Sequence, residues 1–168
     1  MAKQKKPIRP SDGHSVIATN RTARRDYDVL ETLEAGLVLK GSEVKSLRES
    51  KVQLNDAYAR VLNGELFLVG MHVAPYSHGV GVFGHDPDRQ RKLLVHRSEM
   101  LRLRSRMDQE RLALVPLSLY FKEGRAKVEL ALGRGRHKAD KRAALAKKEA
   151  DLEARKAMAR AGRRGDRE

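Results

Sequence analysis

The chain has 168 residues, with 36 Lys and Arg against 22 Asp and Glu and a formal net charge of +14. No apolar run approaches the roughly 20 residues of a membrane span, and the lack of any cysteine rules out disulfides and thiol chemistry. So basic a chain suits a polyanionic partner, either a nucleic acid or an anionic surface, while the absence of Trp and an aromatic content of 4% argue against a broad base-stacking platform.

Residues 1–15 form a basic, Pro-containing arm that is expected to be mobile. Its start, Met1-Ala2-Lys3-Gln4-Lys5-Lys6-Pro7, lacks the apolar stretch of a secretory signal. Residues 20–27 place Arg21, Arg24 and Arg25 just before the first strand, as a solvated entry segment or a phosphate-contacting edge. Residues 27–40 read as one long or bent strand with a bulge or bend at Gly36. Gly41-Ser42 opens a short helix with Ser42 as N-cap, Glu43 in the first turn, and Val44 and Leu47 as its buried face. Residues 53–62 and 65–73 form a hairpin across Asn63-Gly64, a type I′ signal. The second of these strands is apolar on both faces, which suits a closed or covered sheet.

Residues 74–91 read as a long loop rich in Gly, Pro and His. From residue 96 to about 107 the pattern is helical, with Met100, Leu103 and Met107 on one face. Residues 111–122 and 125–132 form a second hairpin across Glu123-Gly124. In its last strand Ala126, Val128, Leu130 and Leu132 face inward, while Arg125, Lys127 and Glu129 make a charged outer row. Short strands, two tight hairpins and two helices point to a small β-barrel or sandwich.

From residue 136 on the composition changes to Ala, Lys, Arg, Asp and Glu, with 12 Lys and Arg against 6 Asp and Glu. Helix propensity is high, but Leu145, Leu152 and Met158 are the only large hydrophobes, so the tail has little to bury. Two readings stay open: a solvated basic tail, or a segment that is disordered or fraying alone and becomes helical on a polyanionic partner.

Little here speaks for catalysis. Gly79-Val80-Gly81-Val82-Phe83-Gly84 spells G-x-G-x-x-G, but His85-Asp86-Pro87 follows where a dinucleotide site needs a helix. His72, His78, His85 and Asp86 are too loosely spaced for a metal site. No Ser/His/Asp arrangement has a nucleophile elbow. The remaining signal is electrostatic: Lys and Arg recur in the arm, at 21–25, at Lys45 and Arg48, at 89–92, on the outer row and through the tail.

Taken in order, a set of segments resembles one family. They are Asn20-x-x-Ala23-Arg24, Glu34-Ala35-Gly36, Gly41-Ser42-Glu43-Val44-Lys45-Ser46-Leu47-Arg48, His85-Asp86-Pro87-x-Arg89-x-Arg91-Lys92-Leu93-Leu94, Leu119-Tyr120-Phe121-Lys122 and Gly135-x-x-x-x-Asp140-Lys141-Arg142. Together they resemble the bacterial transfer-messenger-RNA-binding proteins, the small protein B or SsrA-binding family. The resemblance implies an oligonucleotide-binding-type (OB-fold-like) antiparallel β-barrel with flanking helices and a basic C-terminal tail. The arm would span 1–15, the RNA-binding barrel 16–135 and the tail 136–168. It implies binding to the tRNA-like domain of transfer-messenger RNA (tmRNA) and its delivery to stalled ribosomes for trans-translation. Asn20, Arg24, Glu34, Arg48, Leu94 and Lys127 would lie on the RNA face, and the charge pattern adds Lys45, Arg91 and Lys92. Glu34 would accept hydrogen bonds from a base or sugar, or orient Arg48. Gly135, Arg136, His137, Asp140, Lys141 and Arg142 would reach the decoding centre and the empty messenger channel.

The same resemblance implies a cytoplasmic monomer, with no catalysis, cofactor or metal. Its partners would be tmRNA and the ribosome, with elongation factor Tu and alanyl-tRNA synthetase reached through the RNA. One position departs from the family: Ala139 stands where members often carry His or Tyr. His137, two residues earlier, would be turned by about 200° around a helix. The competing expectation is a generic basic RNA-binding or ribosome-assembly barrel that binds by charge alone.

Overall fold

The computed structural model describes residues 14–78, 84–136 and 138–165. The chain divides into two compact units, one up to Gly135 and one from Arg136. The first runs β1 (His14–Thr19), α1 (Arg21–Asp26), β2 (Tyr27–Leu37), α2 (Gly41–Arg48), β3 (Val52–Gln53), β4 (Tyr58–Leu62), β5 (Glu65–Val69), β6 (His72–Val73), β7 (Arg91–Leu94), α3 (Arg97–Glu110), β8 (Ala113–Lys122) and β9 (Arg125–Gly135). The second is a single helix, α4 (Lys138–Gly165).

The main sheet has the order β1-β8-β4-β5-β7-β2-β9, and β8 also pairs with β9. That last pairing closes β4, β5, β7, β2, β9 and β8 into an antiparallel barrel, which removes the free edges an open sheet would leave. β1 lies outside the ring, paired with β8 from His14↔Lys122 to Thr19↔Ser118. Both tight turns carry positive φ at their two central residues, Asn63-Gly64 and Glu123-Gly124, as the right-handed twist of a two-residue hairpin demands.

Period-2 alternation fills the barrel. Leu33, Ala35 and Leu37 of β2, Leu66 and Leu68 of β5, and Val128, Leu130 and Leu132 of β9 are buried in one core, joined by Leu47 of α2 and Leu103 of α3. A smaller cluster lies outside the barrel wall, where Ala23 of α1 covers Val115, Leu117 and Ala131. The register of β8 shifts between Pro116 and Ser118. The extra residue, Leu117, packs under α1 while Ser118 still faces β9.

Several boundaries differ from the sequence reading. His14 and Ser15 belong to β1 rather than to the arm, and residues 21–26 are helical. Asn20 makes that helix possible: its Oδ1 accepts from the Ala23 N–H at 3.0 Å, as an N-cap does. The bulge of β2 falls between Val29 and Glu31, not at Gly36. Gly36 serves a close approach instead, since a Cβ there would come within 3.2 Å of the Leu94 Cβ. The strand expected over 53–62 is broken, and β3 pairs with β6 in a separate two-stranded sheet. The tail, expected to be disordered or fraying without a partner, is helical over 28 residues, as its Ala, Lys, Arg and Glu content favours. The Gly-rich motif 79–84 lies almost wholly outside the described residues.

The largest correction concerns α2. Ser42 is not the N-cap; Lys40 is, and its N–H donates to Glu43 Oε2 at 2.7 Å. The buried face includes Glu43 and Ser46 as well as Leu47. Glu43 is wholly buried, and two arginines converge on it. Arg89 donates through Nε at 2.8 Å and Nη2 at 2.5 Å, and Arg91 through Nε at 2.9 Å. Arg91, also wholly buried, spends its other N–H groups on the carbonyls of Met71, Arg89 and Pro87. His85 completes the clip, bonding the Ser42 hydroxyl and the Val73 carbonyl at 3.0 Å each. The two longest segments of the sequence resemblance are thus two halves of one buried polar joint between α2 and β7.

Burial pushes the Glu43 carboxyl up, but Arg89, the Lys40 N–H and Arg91 outweigh it and hold it below the usual range. A group held low contributes stability that is complete above its unfolded value, about 4.3 for Glu, and is lost as pH falls through its folded value. Glu43→Gln should cost about 3–5 kcal/mol at pH 7, because it strands the buried Arg91 guanidinium and removes the carboxylate partner of the part-buried Arg89. Urea unfolding measures the loss, and the gap between variant and wild type should narrow as pH drops below about 4.

Candidate nucleic-acid interface

Strand register assembles a surface on the outer wall of the barrel. Residues paired across strands share a face, so the pairs Ser118↔Glu129 and Glu129↔Glu34 form one row over β8, β9 and β2. Tyr120↔Lys127, Lys127↔Gly36 and Gly36↔Leu94 form the next, reaching β7. Lys122↔Arg125 stand beyond. The second row spans three strand spacings, roughly 14 Å.

Glu34 and Glu129 sit directly opposite each other, a like-charge pair that is unfavourable alone. Each has its own partners. Glu34 Oε2 accepts from the Tyr120 hydroxyl at 2.5 Å, and Oε1 lies 3.4 Å from Lys122 Nζ and 4.0 Å from Lys127 Nζ. Glu129, nearly buried, accepts from Ser118 Oγ at 3.0 Å and lies 3.6 Å from Arg24 Nη2. Burial pushes Glu34 up, but the Tyr120 hydroxyl, Lys122 and Lys127 leave it below the usual carboxylate range. Burial, helped by Glu34, pushes the Tyr120 phenol far up, so it remains a donor. The His14 ring stands edge-on to Tyr120 with centroids 5.1 Å apart.

The expected site residues separate into groups. Arg24, Glu34, Leu94 and Lys127 come together on this wall. Asn20 does not face outward: it is buried, its Oδ1 caps α1 and its Nδ2 donates to the Leu54 carbonyl at 3.0 Å. Arg91 is likewise withdrawn, because the carboxylate of Glu43 holds it inside. Lys92 pairs with Glu65 at 2.5 Å. Lys45 and Arg48 are exposed on α2, with Lys45 Nζ 5.3 Å from the Tyr76 ring centroid. Arg48 is not oriented by Glu34, whose hydrogen-bond and ion-pair partners are Tyr120, Lys122 and Lys127. In the tail, Gly135 ends β9, and Asp140, Lys141 and Arg142 fall near the start of α4. His137 lies outside the described residues.

Tyr120, Lys122 and Ser118 were absent from the expected site. Alternation along 113–122 marks Tyr120 and Lys122 as outward partners of Lys127 and Arg125 once the Glu123-Gly124 turn is placed. The same step of two places Ser118 opposite Glu129, because the bulge of β8 lies before it, between Pro116 and Ser118.

Tyr120→Phe removes a donor to the charged form of Glu34, so the Glu34 midpoint should rise. Carboxyl-carbon NMR titration of the variant checks the direction.

The SmpB protein family model matches residues 17–160. The SsrA-binding protein of Desulforudis audaxviator is 56% identical over 147 residues, 88% of this chain and 93% of that protein. That of Nocardia farcinica is 51% identical over 148 residues, 88% of this chain and 92% of the other. A chain from a solved structure, described as "tmRNA-SmpB: a journey to the center of the bacterial ribosome", superposes with a TM-score of 0.60 at 50% identity, over 72% of this chain and 85% of that one.

Proposed function

The chain belongs to the SmpB protein family, and on that premise we propose that the outer wall of β8, β9, β2 and β7 is where it takes tmRNA. The protein binds tmRNA and acts with it on the ribosome in ribosome rescue. The finer address is the tRNA-like domain of that RNA. The carrying observation is the arrangement of cations around Glu34. Lys122 and Lys127 flank one carboxylate, Arg24 stands on the next, and Leu94 projects from the far end, 55% exposed.

Glu34 acts here as a positioning residue. Its oxygens are engaged by Tyr120, Lys122 and Lys127, so it fixes the lysines for phosphate contacts, which set register without reading sequence. Lys45 and Arg48 add a second basic edge on α2. The tail, from Arg136 through Asp140, Lys141 and Arg142, occupies the empty messenger channel of a stalled ribosome. Leu145, Leu152 and Met158 are all exposed on α4, and a helix with so little apolar face depends on a charged partner for its hold. The protein is an RNA adaptor without catalysis of its own, working in the cytoplasm. Elongation factor Tu and alanyl-tRNA synthetase meet it through the RNA.

The test is a titration near physiological salt of the full chain, and of a chain ending at Gly135, against the tRNA-like domain of tmRNA and an ordinary tRNA. Both forms should bind the tRNA-like domain selectively, and the shortened chain should fail to tag stalled peptides. Equal affinity for both RNAs would mean a charge-driven binder instead. Lys127→Ala should weaken binding and lower the salt slope by about 1; an unchanged slope would remove Lys127 from the interface.

A further inference from the structure

The arginines of α3 are not equivalent. Arg102 holds Glu31 through two bonds, at 2.9 and 2.6 Å. Arg106 reaches Glu31 at 2.9 Å and Glu110 at 3.0 Å. This side of the helix is neutralised and fastens α3 to β2. Arg97 and Arg104 are exposed and have no carboxylate partner among the described residues.

Arg97, Met100, Leu101 and Arg104 are spaced i, i+3, i+4, i+7, one stripe of the helix. That stripe lines a groove of about 670 Å³ whose other walls are the Asn63-Gly64 turn and Lys92, Leu93 and Leu94 of β7. Met100 and Leu93 are buried in its floor, whereas Leu101 is 51% exposed and Leu94 55%. Two large apolar side chains therefore stand open to solvent beside two unpaired guanidinium groups. Lys92 is already paired with Glu65, so Arg97 and Arg104 carry the uncompensated charge here.

We propose that this groove seats one unstacked nucleotide of the bound RNA, its base against Leu94 and Leu101 and its phosphates on Arg97 and Arg104. This rests on the reading above, in which the wall ending at Leu94 takes the RNA. Continuity supports it, because Leu94 belongs to both surfaces. So does chemistry. An apolar wedge accepts the face of any base, as sequence-tolerant single-strand sites do. A guanidinium matches phosphate oxygens with paired N–H donors, and it is less strongly hydrated than an ammonium. A protein partner of the same groove would need clustered acidic groups beside an apolar anchor, whereas every nucleotide supplies both parts.

The test uses the full chain and the tRNA-like domain of tmRNA, with salt titrations and a backbone-cleavage footprint. Arg97→Ala/Arg104→Ala should lower affinity about tenfold or more and reduce the salt slope by about 1.5, at 0.7 to 0.9 per phosphate. Leu101→Ser should weaken binding with the slope unchanged. Both variants should expose the same nucleotide to cleavage, while Lys127→Ala leaves that nucleotide protected. Thermal melts matching the wild type show that the variants fold. Wild-type affinity, slope and footprint in these variants would overturn the proposal and leave the groove to a protein partner. Loss in the arginine variant alone would overturn the seating of a base. A wild type that binds the tRNA-like domain no better than tRNA would bring down the parent reading, and the groove with it.

Discussion

One buried carboxylate organises the protein. Glu43 lies on α2, a short helix with little apolar surface, and its charge would be prohibitive inside a barrel of Leu and Val. Arg89 and Arg91 neutralise it from the strand and loop opposite, and Arg91 in turn gathers the carbonyls of Met71, Arg89 and Pro87. His85 ties the same loop to Ser42 and Val73. The long excursion between β6 and β7 is thereby fastened at its return end, and α2 presents Lys45 and Arg48 from a fixed base. Replacing one partner alone leaves buried charge behind, so these residues stand or fall as a group.

The outer wall follows a related logic at lower burial. Two facing carboxylates, Glu34 and Glu129, would repel across β2 and β9. Hydroxyl donors from β8 and cations from α1, β8 and β9 turn that repulsion into a lattice that holds Arg24, Lys122 and Lys127 in place. A wall of lysines alone would be mobile and self-repelling. Interleaved acids cost some positive potential and fix the orientation of the cations beside them.

Much of the fold was legible because local rules acted alone. Asn63-Gly64 and Glu123-Gly124 announced their turns, and Val128, Leu130 and Leu132 announced the inner face of β9. Met100 and Leu103 marked the packed side of α3. The misses share a cause: partners distant in sequence. Glu43 resembles an ordinary first-turn acid until Arg89 and Arg91 are brought to it from more than forty residues away. Arg91 resembles a surface cation for the same reason. Asn20 looks polar and available, but it caps α1 while bonding Leu54. β1 has little apolar periodicity of its own and owes its existence to the free edge of β8. Of the expected site residues, the strand register sets Glu34, Leu94 and Lys127 on one wall, while Asn20 and Arg91 are buried.

The position of β1 outside the ring has its own consequence. The barrel closes through β8–β9 and β8–β4, so β1 can detach while the ring keeps its hydrogen bonds. Its amides should therefore exchange with solvent through a local opening far cheaper than global unfolding. Such an opening uncovers the N–H and C=O groups of β8 along Ser118–Lys122, the stretch that carries Tyr120 and Lys122. It also withdraws the His14 ring from Tyr120. The N-terminal strand thus covers an edge of β8 that would otherwise be open to strand-to-strand association between copies.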